Sequence, residues 1–217
     1  MKPLKVLNLY AGIGGNRKLW QNVEVTAVEL EPGIAGVYKD LYPNDEMVIG
    51  DAHKFLIENY KEYEFIWSSP PCPTHSDIRR CGVHKGQYAA LYPDMTLYQE
   101  IILLQHFAKG DWVVENVRPY YKPLIPPSVE LHRHYFWTNF LVRPYKVIDD
   151  RIHCDINGSS EIYGFDLKNY AIKDKRKILR NLVNPEVAAH LLNSARHDFP
   201  PMPMGTLFEN ENEQKYA

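Results

Sequence analysis

Strand-like and helix-like patterns alternate through the first 117 residues, and this limits what the chain can fold into. Residues 5–9 form an apolar run that ends in the turn Tyr10-Ala11-Gly12-Ile13-Gly14-Gly15, and 15–21 begin a short helix. Strand patterns follow at 23–30, 47–49, 64–67 and 111–117, with helical stretches at 32–41, 52–60 and 97–109 between them. Such alternation predicts βαβ units and a mostly parallel, doubly wound α/β sheet. Ligands in these sheets bind at the carboxyl ends of the strands. Gly12, Glu29, Asp51, Cys72 and Glu115 all fall at or just beyond predicted strand ends, so one sheet edge is expected to gather them. Residues 73–95 have no clear period and read as a long loop, 135–142 as a further strand, and 173–179 and 185–195 as helices.

The chain has 217 residues, 45% of them hydrophobic, enough for one substantial domain with a packed core. No uninterrupted apolar run reaches membrane length. The opening segment reads as a buried first strand, not a targeting segment, because Asn8 interrupts it and a glycine turn follows. Three cysteines without paired spacing argue against a disulfide framework or a metal cluster. A reducing cytoplasm suits a free reactive thiol. A net charge of −2 gives no global attraction to nucleic acid. Local basic clusters do exist at Arg79, Arg80 and Lys85, at His132, Arg133 and His134, and along 173–180, and a polyanion could use them.

The glycine turn lacks the third glycine of a dinucleotide fingerprint, since Arg17 stands there, and it lacks a Gly-Lys-Ser/Thr phosphate-loop ending. It can still bring backbone close to a nucleoside. Glu29, at the end of the second strand, is placed to accept from ribose hydroxyls, with Glu31 as a competitor. Asp51 can accept from an adenine amino group or cap the next helix. Cys72 sits on the stiff turn Ser68-Ser69-Pro70-Pro71-Cys72-Pro73. As a nucleophile it needs a lowered pKa, which backbone N–H groups or nearby cations can supply. Cys81 and Cys154 lack that context and read as buried structural cysteines. Glu115 closes the apolar run Trp112-Val113-Val114, where a buried carboxylate must find a partner or stay protonated.

In this order, the set resembles the C5-cytosine DNA methyltransferases. Residues 9–15 are similar to that family's Phe-Ala-Gly-x-Gly-Gly loop for S-adenosylmethionine, with Tyr10 at the phenylalanine position. Pro71-Cys72 resembles its Pro-Cys nucleophile, Ser76 the loop serine, and Glu115-Asn116-Val117 its Glu-Asn-Val. Arg180-Asn181-Leu182-Val183 resembles its last motif, Gly-Asn-Ser-Val, which returns to the cofactor site. The resemblance implies a class I methyltransferase fold that uses S-adenosylmethionine on cytosine in DNA, with no metal. It implies a cofactor site of Tyr10, Ala11, Gly12, Gly14, Gly15, Glu29, Asp51, Ala52, Pro71, Asn181 and Val183. It makes Cys72 the nucleophile and Glu115 its acid partner. Arg133 is the expected base or phosphate contact, and Ser76, Arg79, Arg80 and Asn116 the expected substrate contacts.

The chain departs from the family pattern at several points. Pro73 replaces a glutamine, His75 a phenylalanine, Asn8 an aspartate and Arg180 a glycine. The expected organisation is a catalytic core over 1–138, a much reduced target-recognition region over 139–178, a returning helix over 179–198 and a frayed tail over 199–217. With so short a recognition region, selectivity is minimal, carried by the 73–95 loop, or supplied by a protein partner. Methylation of tRNA cytosine and a non-catalytic relative that binds the cofactor or DNA remain alternatives, as does a modified donor; Arg17 disfavours a nicotinamide oxidoreductase. The compactness would suit a virus-encoded modification enzyme.

Overall fold

The computed structural model describes residues 2–145 and 163–197. Five parallel strands form its centre: β1 (Leu4–Leu9), β2 (Val23–Glu29), β3 (Glu46–Ile49), β4 (Phe65–Ser68) and β5 (Asp111–Val117). A hairpin, β6 (Val129–Leu131) and β7 (His134–Thr138), adds to the β5 edge with β7 antiparallel to both neighbours. The strand order is β3-β2-β1-β4-β5-β7-β6, so the chain reverses direction of growth between β1 and β4. That switch point opens a crevice at the carboxyl ends of β1 and β4, beside the glycine turn and the Pro-Cys turn.

Helices cover both faces because the strands alternate in period two. Val6, Val25, Phe65, Trp67 and Val113 share one buried face with Tyr38 of α1 (Pro32–Leu41) and with Val187, Leu191 and Leu192 of the last helix. Leu7, Val28, Ile66 and Val114 share the other with Leu56 of α2 (Ala52–Asn59) and Ile101 and Leu104 of α4 (Thr96–Phe107). The doubly wound expectation therefore holds strand by strand.

Local differences have local causes. The segment 15–21 makes only a 3-10 turn, Asn16–Leu19. Buried Asn8 and Asn16 exchange side-chain hydrogen bonds there, and Arg17 turns inward to a paired contact with Asp45 at 2.7 and 3.0 Å. The 73–95 stretch is not all loop. It contains α3 (Asp77–His84), capped by the Ser76 hydroxyl, which accepts from the Ile78 N–H at 3.2 Å. Eight residues with Gly82 inside are too short and mixed to show a helical period, although Ser76-Asp77 is an N-terminal signal. The strand read over 135–142 is shorter and begins at His134; its partner β6 was not expected.

Two short helices close the chain, α5 (Lys175–Arg180) and α6 (Pro185–Arg196). The region 139–178 does not stand wholly apart, because Phe165 and Leu167 are buried with Val37, Leu179 and Leu182 against Ile13. Residues 146–162, including Cys154, and the 199–217 tail lie outside the described residues. No helix among the described residues is long and apolar enough to cross a membrane, and none of their acidic, histidine and cysteine side chains cluster as a metal site.

Candidate active site

The glycine turn begins with strain that the fold fixes in place. Tyr10 and Gly12 have φ of 54° and 56°, and Gly14 has 82°. A Cβ at Gly14 would lie 2.3 Å from the Tyr42 ring, so only glycine fits there. At Gly12 a Cβ would meet nothing within 4 Å, so that backbone faces open space at the strand ends. Beside it, Glu29 accepts from the Gly12 N–H through Oε2 (2.9 Å) and from the Glu31 N–H through Oε1 (3.0 Å). Each oxygen keeps a second lone pair for a ribose hydroxyl. Asp51 does cap α2, accepting from Lys54 N–H at 3.1 Å, and it stays exposed; Ala52, next to it, is buried. The 180–183 segment comes back as expected. A Cβ on Gly15 would sit 2.8 Å from Leu182 and 3.2 Å from the Val183 carbonyl, while Asn181 is exposed. This open, glycine-walled, acid-flanked crevice fits a nucleoside cofactor such as S-adenosylmethionine.

The Pro-Cys turn is tied down from two sides. The Cys72 carbonyl accepts from His75 and Ser76 N–H groups at 3.0 and 3.2 Å. Asn116 donates from Nδ2 to the Pro70 carbonyl at 2.9 Å and accepts the Val117 N–H at 3.0 Å. Asn116 is 1% exposed, so it holds the turn against β5 and is not positioned as a substrate contact. Asn116→Ala should leave the buried Pro70 carbonyl and the half-buried Val117 N–H without this partner and cost about 2 kcal/mol in urea unfolding. It should lower kcat more than cofactor affinity, which calorimetry would check.

Cys72 is half-buried and close enough to Glu115 for that carboxylate to act on it. Burial, then Glu115, push the thiol up to about 11, against the pull of Arg133 and Lys177. The expected lowering is thus reversed. The reason is that burial of the thiol and the Glu115 carboxylate outweigh its backbone hydrogen bond and the two cations. Glu115 is itself buried and is pushed up to about 7 by desolvation, although a Ser69 hydrogen bond and Arg133 oppose this. His134, held neutral by burial at about 3, places Nε2 3.4 Å from Glu115 Oε1.

Other expected contacts are engaged elsewhere. Arg133 sits in the tight β6–β7 turn and donates to the Arg180 and Leu182 carbonyls, locking the hairpin to the returning segment; its Nε is buried without a partner. It acts on Cys72 and Glu115 through charge alone. Ser76 caps α3. Arg79 lies over the Tyr88 ring and donates to the Ala89 carbonyl; Arg80 lies over the Tyr120 ring and donates to the Tyr120 carbonyl. Pro71 is exposed, and so is Cys81, which is not the buried cysteine expected. Two residues were missed. His75 is fully buried, with Nδ1 2.6 Å from the Tyr121 hydroxyl, and so anchors the Cys72 turn to the segment after β5. Glu100 is fully buried on α4, and its signal was a carboxylate on the apolar stripe of Leu97, Ile101 and Leu104.

Comparisons with known proteins agree with this architecture. No curated protein matches the sequence significantly. Among solved structures, the Entamoeba histolytica methyltransferase EhMeth aligns over 91% of this chain and 99% of its own, at 13% identity and a TM-score of 0.53. A SAM-dependent methyltransferase from Agrobacterium tumefaciens aligns over 55% of this chain and 40% of its own, at 16% identity and a TM-score of 0.37. A Spodoptera frugiperda DNMT2 mutant aligns over 52% and 35%, at 22% identity and 0.38. The fold is that of the SAM-dependent methyltransferases. A sequence model described as C-5 cytosine-specific DNA methylase matches residues 4–121, a stretch that contains the glycine turn, Cys72 and Glu115. The chain belongs to the C-5 cytosine-specific DNA methylase family.

Proposed function

We propose that this chain methylates C5 of cytosine in DNA through a covalent bond between Cys72 and C6. The observation that carries the reading is a half-buried Cys72 within the influence of a buried Glu115, whose carboxyl burial pushes up to about 7, beside the open glycine turn. Carbon 5 of cytosine is a weak nucleophile. Addition of the Cys72 sulfur to C6, with a proton passing from the Glu115 carboxyl to N3, makes C5 an enamine carbon. Glu115 then holds N3 and the exocyclic amine while charge shifts. S-adenosylmethionine, when bound, supplies the methyl group from its sulfonium. A base, with water as the candidate, removes the C5 proton; the C6–S bond breaks, Cys72 leaves as thiolate and the N3 proton returns to Glu115.

A paired cytosine cannot reach Cys72, so the target base leaves the stack. A cavity of about 200 Å³ next to the Cys72 turn, lined in part by Thr74, Ser76, Arg79, Arg80, His84 and Tyr120, offers guanidinium and aromatic surface for a nucleic-acid strand. Sequence preference then comes from this cavity or from a protein partner, in a cytoplasm open to the chromosome or to viral DNA. Labelled methyl transfer to duplex DNA and to tRNA, side by side, tests the reading. DNA is the expected acceptor; labelling of tRNA alone would reassign the substrate, and bisulfite sequencing of host DNA would locate the site.

A further inference from the structure

Glu100 has no solvent exposure, yet it lies among the groups that shape the cofactor crevice. Its Oε1 accepts from the Tyr10 hydroxyl at 2.7 Å and lies 3.0 Å from His53 Nδ1; its Oε2 accepts from the Ser68 hydroxyl. These partners come from three segments. Tyr10 opens the glycine turn in a φ that non-glycine residues rarely adopt. His53 follows Asp51-Ala52 on α2, and Ser68 ends β4, four residues before Cys72. A carboxylate this buried is costly unless it is hydrogen-bonded, and here the Tyr10 and Ser68 hydroxyls donate to it with His53 Nδ1 at hydrogen-bonding distance. Removing its charge would loosen all three segments together.

We propose that Glu100 is a positioning residue that sets the donor side against the nucleophile side, holding Tyr10 of the glycine turn and Ser68 of the Cys72-bearing strand on one carboxylate. It touches neither cofactor nor cytosine. His53 is its third partner and makes the device pH-dependent. The groups acting on His53 are Glu100 from α4, Asp51 before α2 and Asp94 before α4, all carboxylates, and the Glu100 hydrogen bond is the largest influence raising its pKa. Tyr10, on the same carboxylate, stays neutral. As pH rises through the raised value, His53 loses its proton and its hold on Glu100 weakens.

The test is equilibrium binding of S-adenosylhomocysteine to the full chain, by calorimetry, without nucleic acid. Tyr10→Phe keeps the ring and removes one hydroxyl; Glu100→Gln keeps the shape and removes the charge. Each should weaken binding about tenfold, as loss of one hydrogen bond to a charged group does. The double variant should bind no worse than the poorer single, because both cut the same link. Wild-type affinity should fall as pH rises past the His53 transition, and Glu100→Gln should flatten that fall. Additive losses, or a Glu100→Gln protein that melts lower but binds with the wild-type pH course, would overturn the proposal. If Glu100→Gln does not fold, Tyr10→Phe and His53→Gln are read singly: wild-type affinity in Tyr10→Phe, or an unchanged pH course in His53→Gln, overturns the proposal. No binding by wild type would remove the cofactor reading itself, on which the proposal rests.

Discussion

Cys72→Ala should abolish methyl transfer, by roughly 10⁴-fold or more, and should abolish the trapped adduct with DNA that carries 5-fluorocytosine. The two readouts test different things. Loss of turnover shows only that the side chain matters. The adduct is specific, because fluorine at C5 cannot leave as a cation, so the C6–S bond persists once the methyl group has been transferred. Wild type with S-adenosylmethionine should give a band shifted by the mass of the oligonucleotide in a denaturing gel; the variant should give none. Cys72 is half-buried and the turn is held through its backbone and through Asn116, so the variant should keep its fold by circular dichroism. Cys81 is the internal control, since it is an exposed thiol on α3, and Cys81→Ala should leave the adduct intact. An equal adduct yield from Cys72→Ala would take the nucleophile away from residue 72.

What made the site legible was the coupling of chain order to strand ends. Gly12, Glu29, Cys72 and Glu115 could be gathered on one edge from the alternation alone, because a parallel sheet puts every strand's carboxyl end on the same side. Elements whose identity depends on partners far along the chain were harder to see. Arg133 looked like a substrate contact because charge is visible in sequence, whereas the carbonyls of Arg180 and Leu182 that take its guanidinium are not. Asn116 looked functional through the Glu-Asn-Val resemblance, and in the structure it holds the Pro70 carbonyl. A nucleophilic Cys72 called for a lowered pKa, which backbone N–H groups or nearby cations could supply. Burial and the Glu115 carboxylate outweigh them, and neither magnitude can be read from a string of residues. β6 escaped, and with it the hairpin, because it is three residues long and gains its meaning only by pairing with β7.

Glu115→Gln should lower kcat/KM by about 10²- to 10⁴-fold and change its pH dependence. The productive pair is a Cys72 thiolate with a protonated Glu115, and it carries one proton. So does the resting pair of thiol and carboxylate, so the two are tautomers of one titration state. That state dominates between the two values, about 7 for Glu115 and about 11 for Cys72. Wild-type kcat/KM should therefore rise as pH increases through about 7, stay level, and fall only toward 11. Glu115→Gln should lose the lower limb, because nothing at residue 115 titrates. A wild-type rate that drops as pH rises past neutrality would contradict the shared proton. The same substitution should act in the opposite direction on stability. The folded pKa of Glu115 lies above its unfolded value, so burial is tolerated fully only below the ordinary carboxylate range. Stability is lost progressively as pH rises from there through about 7, and the penalty is complete above it. A shift of this size corresponds to at most about 3 kcal/mol. At pH 8 the Gln variant should thus unfold at higher urea than wild type, and at pH 4 the difference should nearly vanish. A variant slower by orders of magnitude yet more stable at alkaline pH would mark Glu115 as a carboxylate kept in an unfavourable place for its chemistry. A variant less stable at both pH values would make it a structural anchor of the β5 edge.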